Sequence, residues 1–201
     1  MAKRTNCHVL GRILVIAGLI GGSGPAPCLS AETGMDVTLN ANIVENTCQV
    51  SIPEDGKVHL STVGKNWFYN PDGSTRLQPT DAASGTLFKV RVKSCVGDPS
   101  TVNALHFSFQ PQTQQWPAGS HQVFINETTP AAGGAGNTGI VIFSKALNSN
   151  VLNSDGSSNI AITASSASLV NDYEFYARLQ NTGPVTAGKV TSRVLVSATY
   201  Q

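Results

Sequence analysis

Cysteine and histidine are the side chains here whose chemistry depends most on spacing, and both are sparse. The four cysteines are Cys7, Cys28, Cys48 and Cys95. The first two fall in an N-terminal stretch, residues 1–31, that reads as a secretory signal peptide. Lys3, Arg4 and Arg12 supply a positive start, and Ile13 to Ile20 is an apolar run too short to cross a bilayer as an ordinary helix. Small residues and prolines follow, with cleavage expected after Ala31 or Ser30. Processing leaves Cys48 and Cys95, and two cysteines in an exported chain make one disulfide the default expectation. It would close a loop of about 47 residues, which the loop-entropy model values at roughly 4 kcal/mol. His59, His106 and His121 show no metal-ligand spacing with either cysteine or with each other. No metal and no cofactor are expected. No serine sits in a nucleophile elbow, no glycine-rich phosphate loop precedes a helix, and none of the twelve carboxylates is singled out by its neighbours. The expectation is a protein that is not an enzyme.

The elements that must position these residues are strands. Composition prepares for this: 12% of the 201 residues are charged, and 19 Gly and 10 Pro supply many turns. From residue 32 onward ten Lys and Arg stand against twelve Asp and Glu, a net −2 with no basic patch, so nucleic acid is not an expected partner. Side chains in a strand alternate between faces. That alternation runs through Asp36 to Val50, Val58 to Val63, Thr86 to Val92, Leu105 to Phe109, Ile160 to Thr163 and Tyr173 to Leu179, while Gly139 to Phe143 is a continuous apolar run. No segment carries a sustained helical stripe. The last strand, Gly188 to Tyr200, places Val190, Val194, Val196, Ala198 and Tyr200 on one face and Lys189, Thr191, Arg193 and Thr199 on the other. Ser192 and Leu195 interrupt the two rows. No turn follows Tyr200, so this strand is either internal to a sheet or an open edge that another chain covers. About eight short strands between Gly, Pro, Asn and Ser turns predict an antiparallel β-sandwich. Residues 66–83 and 110–137 read as irregular polar segments, and Pro130 to Asn137 as a mobile surface loop. Asn126-Glu-Thr is a glycosylation sequon without supporting context.

Three features then combine: a strand directly after the signal, the Cys48 and Cys95 pair, and the C-terminal strand. Cys48 stands in C-Q-V, and Cys95 ends F-K-V-R-V-K-S-C. The stretch NDYEFYARLQNTGPVTAGKV resembles an F-x-A-x-Y region leading into an Ala-Gly turn, here Ala187-Gly188. Tyr200 is the penultimate residue, and Gly188 lies fourteen from the end. On these motifs the chain resembles the pilins of the chaperone–usher pathway, the type 1 fimbrial subunit family, over essentially all of the mature sequence.

The resemblance implies an incomplete immunoglobulin-like sandwich, all-β, that lacks its final strand and leaves a groove beside the C-terminal strand. It implies a periplasmic pilus chaperone that fills the groove first, an outer-membrane usher, and neighbouring pilin subunits whose N-terminal extensions replace the chaperone by strand addition. Residues 1–31 would be the signal, 32–45 the donor-strand extension and 46–201 the pilin domain. The donor face would be Val37, Leu39, Ala41 and Ile43, which stand 11, 9, 7 and 5 positions before Cys48. Where the family commonly has Gly, seven before the cysteine, this chain has Ala41. The chaperone and groove strand would carry Gly188, Val190, Val194, Val196, Ala198 and Tyr200. The expected function is a minor or adaptor subunit of an exported, extracellular fimbria that supports adhesion. The alternative is a single-domain tip adhesin that binds a host receptor through Trp67, Phe68, Tyr69 and Trp116. Aromatics in polar loops can stack on sugar rings, although they more often anchor the loops themselves.

Overall fold

The computed structural model describes residues 46–83 and 85–201. Nine strands lie in this part: β1 (Thr47–Ser51), β2 (Thr86–Cys95), β3 (Ala104–Pro111), β4 (Phe124–Ile125), β5 (Thr138–Ser144), β6 (Ser149–Asn150), β7 (Ile160–Thr163), β8 (Asp172–Asn181) and β9 (Val194–Tyr200). The predicted alternation is their cause. In β3 Leu105, Phe107 and Phe109 are fully buried, and in β2 Val90 and Val92 are buried between exposed Lys89, Arg91 and Lys93. All pairings between strands are antiparallel, in the order β4-β5-β8-β2-β1-β9-β3-β7, with β6 on β5.

One strand turns this sheet into a sandwich. β1 pairs with β2 on one side and with β9 on the other, Cys48 facing both Cys95 and Ala198. The ladder shifts between Gln49 and Val50. The sheet therefore folds over at β1, and β3 comes to face β8 across the interior. The Phe175 ring of β8 lies 4.9 Å from Phe109 and 5.5 Å from Phe107, while Tyr173 lies 5.0 Å from Phe107. Burying each such side chain contributes roughly 1.5–3 kcal/mol before conformational entropy is subtracted. Cys48 and Cys95 are joined by a disulfide across the β1–β2 ladder.

Three expectations change, and one is only partly covered by the described residues. Of the strand predicted over Asp36 to Val50, residues 36–45 lie outside the described residues and the rest is β1. Residues 58–63 run without a ladder, although Val58, Leu60 and Val63 do turn inward; alternation reports which way side chains face, not whether a neighbour pairs. The last strand joins a ladder only from Val194, because residues 188–193 lie beside irregular segments 126–128 and 133–136. Pro130 to Asn137 is not a loose loop. Ala135 N donates to Lys189 O, Lys189 N to Gly133 O and Gly136 N to Thr186 Oγ1.

The polar segment 66–83 also has a definite place, over the outer face of β5 and β8. Arg178 and Gln180, which alternation would turn to solvent, are buried beneath it. Arg178 donates to Gln78 O at 2.7 Å and Asp81 O at 2.8 Å, and Gln180 to Leu77 O at 2.7 Å. Val123, Val141 and Phe143 form a second small core there, with Ala82 and Tyr176 against it.

Candidate functional site

A groove of about 810 Å3 opens beside the last strand. One wall is residues 56–65 and the other is residues 185–193. Phe68, Ile140 and Leu179 lie among its lining side chains. Its geometry follows from the way β9 begins. Upstream of Val194 the chain, among the described residues, bonds on one side only. Lys189 bonds Gly133 and Ala135, Glu127 N donates to Thr191 O at 2.7 Å, and Gln112 N donates to Arg193 O at 3.0 Å. Thr191 N and Arg193 N donate to Asn126 Oδ1 and Glu127 Oε1 at 2.9 and 2.8 Å. The intervening residues, Gly188, Val190 and Ser192, have no backbone partner among the described residues. Nor do residues 58–63 on the opposite wall. Among the described residues, both walls thus present N–H and C=O groups that have no backbone partner and that an added strand could satisfy.

The predicted inner row of the last strand divides along its length. Gly188 and Val190 line the groove, as does Ser192, whose Oγ is buried without a hydrogen-bond partner among the described residues. Val194 and Val196 are half-buried against the main core. Ala198 and Tyr200 do not reach the groove. They are 3% and 2% exposed, β1 covers them, and the Tyr200 hydroxyl donates to Val96 O at 2.9 Å. Their expected part in binding a chaperone or partner strand therefore lies outside the groove lining. Lys189, Thr191, Arg193, Leu195 and Ser197 turn outward, as the alternation requires.

Gly188 is required by a close approach. A Cβ built there would lie 2.4 Å from Ala135 N and from the Gly134 carbonyl carbon, both backbone atoms that cannot yield. Gly134 is equally constrained, since its Cβ would meet Thr128 O. Two glycines therefore let the chain segments cross at the groove's end.

The candidate donor residues Val37, Leu39, Ala41 and Ile43 lie outside the described residues. The four loop aromatics are packed anchors. Phe68 is buried, and Trp67 stands edge-on to it at 5.1 Å with the Arg76 guanidinium 5.0 Å over its ring. The Tyr69 hydroxyl accepts from Val185 N at 2.9 Å. Trp116 packs on the core and meets His121 edge-on at 5.7 Å. Asn126 is no free glycan acceptor, because its Nδ2 already donates to Ala135 O and Lys189 O, each at 2.9 Å. Among the described residues no cluster of His, Cys, Asp or Glu could hold a metal ion. Residues 56–65, Asn126 and Glu127 went unread as site residues. The sequon was the sole local signal, and it pointed to different chemistry.

No family model matches the chain. It is 33% identical over 180 residues to the uncharacterized fimbrial-like protein YadK of Escherichia coli K12, spanning 85% of this chain and 87% of that one. Among solved structures, the P pilus rod subunit PapA is similar over 83% of this chain and 100% of its own, at 17% identity and a TM-score of 0.49. The CupB6 tip adhesin from Pseudomonas aeruginosa is similar over 58% of this chain at 13% identity and a TM-score of 0.43, and the chain spans 30% of that protein's length. With a third of its residues shared across most of both sequences, the chain belongs to the fimbrial protein family of chaperone–usher pilins, whose members are exported structural subunits of extracellular fimbriae and not enzymes.

Proposed function

We propose that the chain is a minor or adaptor subunit of a chaperone–usher fimbria, joined to its neighbours by donor-strand exchange and so supporting adhesion. The observation that carries this reading is the backbone edge at Gly188, Val190 and Ser192, which has no backbone partner among the described residues and faces residues 58–63, equally without one there, across the groove. A strand laid between the walls would bond to both, and its alternate side chains would fill the space above Ile140 and Leu179. A periplasmic chaperone supplies that strand first, and a neighbouring subunit replaces it at the outer-membrane usher. Once the signal over residues 1–31 is removed, residues 32–45 act as this chain's own donor strand, with Val37, Leu39, Ala41 and Ile43 turned into the next groove. A chain that both receives and donates stands between two neighbours. The anchored state of Phe68, Tyr69 and Trp116 favours this reading over a glycan-binding tip adhesin.

The test uses the exported full chain and a synthetic peptide of residues 35–45 as the incoming strand. Amide exchange is followed by mass spectrometry or NMR. Saturating peptide should slow exchange at Gly188, Val190 and Ser192 by at least about tenfold, as new backbone bonds do. Bound peptide that leaves those amides unchanged would refute the groove as the receiving site.

A further inference from the structure

An extended segment with one edge free for a partner needs something to hold its other edge. For residues 188–193 that support comes mainly from three consecutive loop residues. Asn126 Oδ1 accepts from Thr191 N at 2.9 Å and from Thr128 N at 3.1 Å, while Nδ2 donates to Lys189 O and Ala135 O. Glu127 Oε1 accepts from Arg193 N at 2.8 Å, and Oε2 accepts from Arg193 Nε at 2.7 Å. The Thr128 and Thr191 hydroxyls bond each other at 2.6 Å. Side chains stand here where the ladder bonds of a neighbouring strand would stand. The opposite wall shows no backbone bond at residues 58–63 among the described residues. Among those residues one wall is braced and the other is not.

We propose that Asn126 and Glu127 are positioning residues for strand capture: they hold residues 188–193 extended, with the Gly188, Val190 and Ser192 edge aimed at the groove, before any partner strand arrives. This rests on the groove reading above. An edge that is already ordered spares the incoming strand the entropy of ordering it, so bracing raises affinity without adding a contact to the partner. Of the two Glu127 bonds, the one to the backbone matters. The Arg193 side chain is 69% exposed and its ion pair is screened, whereas the Glu127 side chain is 12% exposed.

The test measures the dissociation constant of the 35–45 peptide and the thermal midpoint in parallel, on exported full-length variants. Glu127→Ala removes the acceptor for Arg193 N and should weaken peptide binding about tenfold, the equivalent of one shielded hydrogen bond to a charged group. Glu127→Gln keeps an acceptor oxygen and should stay within about twofold of the unmodified chain. Asn153→Ala removes a bond to Ser157 Oγ in a turn outside the groove lining and should lower the midpoint without changing affinity. Where Glu127→Ala does not accumulate, Glu127→Asp withdraws the acceptor by one methylene and should show the same loss. Unmodified affinity in Glu127→Ala, or a Glu127→Gln variant as weak as Glu127→Ala, overturns this proposal alone. An unmodified chain that captures no peptide overturns the groove reading and this inference with it.

Discussion

Cys48 and Gly188 carry constraints that no other residue type can meet. The Cys48–Cys95 bond spans 47 residues of sequence and ties β1 to β2. Cys48→Ser should lower unfolding free energy by about 4 kcal/mol, the loop-entropy value. Urea denaturation of the exported protein measures this, and two titratable thiols in the native unmodified chain would contradict the pairing. Gly188→Ala places a methyl 2.4 Å from two backbone atoms of the Gly134–Ala135 crossing. The crossing must open, at an expected cost of about 2 kcal/mol or more. Loss of protease resistance at residues 133–136 is the signature, and wild-type resistance would show that the crossing is loose. Arg178 is a third residue set by its surroundings. Burial pushes its guanidinium down to about 10, which leaves it charged near neutral pH and bonded to the carbonyls of Gln78 and Asp81.

At the scale of elements, the alternating strands were legible because one face of each is buried. Val190, Ser192, Val194, Val196, Ala198 and Tyr200 turn inward along both the unpaired and the paired halves of the last segment. Pairing was less legible. Nothing in V-H-L-S-T-V distinguishes residues 58–63, which have no ladder, from Ile160–Thr163, which has one. That difference depends on distant neighbours. The burial of Arg178 and Gln180 was invisible for a related reason, since the covering segment 66–83 has no periodicity to announce where it lies. One of its turns does recur elsewhere in the chain. Asn70-Pro-Asp-Gly-Ser and Asn153-Ser-Asp-Gly-Ser form the same turn, with Ser74 and Ser157 each donating through N and Oγ to the aspartate two residues before. The alternation of the donor segment gives a paired prediction. Leu39→Asp would carry a charge into an apolar groove and should block incorporation above the neighbour that receives it, whereas Thr38→Asp, on the opposite face, should be far milder. Immunoblots of purified fimbriae from the two strains provide the comparison, and equal defects would mean the donor register is wrong.

As a whole molecule, the domain has, among the described residues, a closed core with an open groove beside it. β1 seals β9 at Ala198 and Thr199, and the gap opens upstream at the groove. A bound strand stabilises by mass action, so the domain's apparent stability should depend on what fills that gap. The thermal midpoint of the exported chain should rise by several degrees at saturating 35–45 peptide and should not respond to a scrambled peptide. Equal shifts from both peptides would point to nonspecific adsorption.

The place of β1 has a mechanical meaning. In the proposed assembly, tension along a fimbria enters this chain at residue 46, where the donated extension meets the domain. β1 begins at the next residue, lies between β2 and β9, and meets the disulfide at Cys48. A pull on the extension therefore loads Thr47 and Cys48 first, and the covalent bond passes the force straight into β2. Residues 49–94, including the groove wall at 58–63, sit inside the cross-linked loop and are bypassed. Tension that would otherwise unravel the chain from its N-terminal side stops at the second residue of β1, and in stretching experiments the oxidised domain should yield a contour length shorter by that loop than the reduced one.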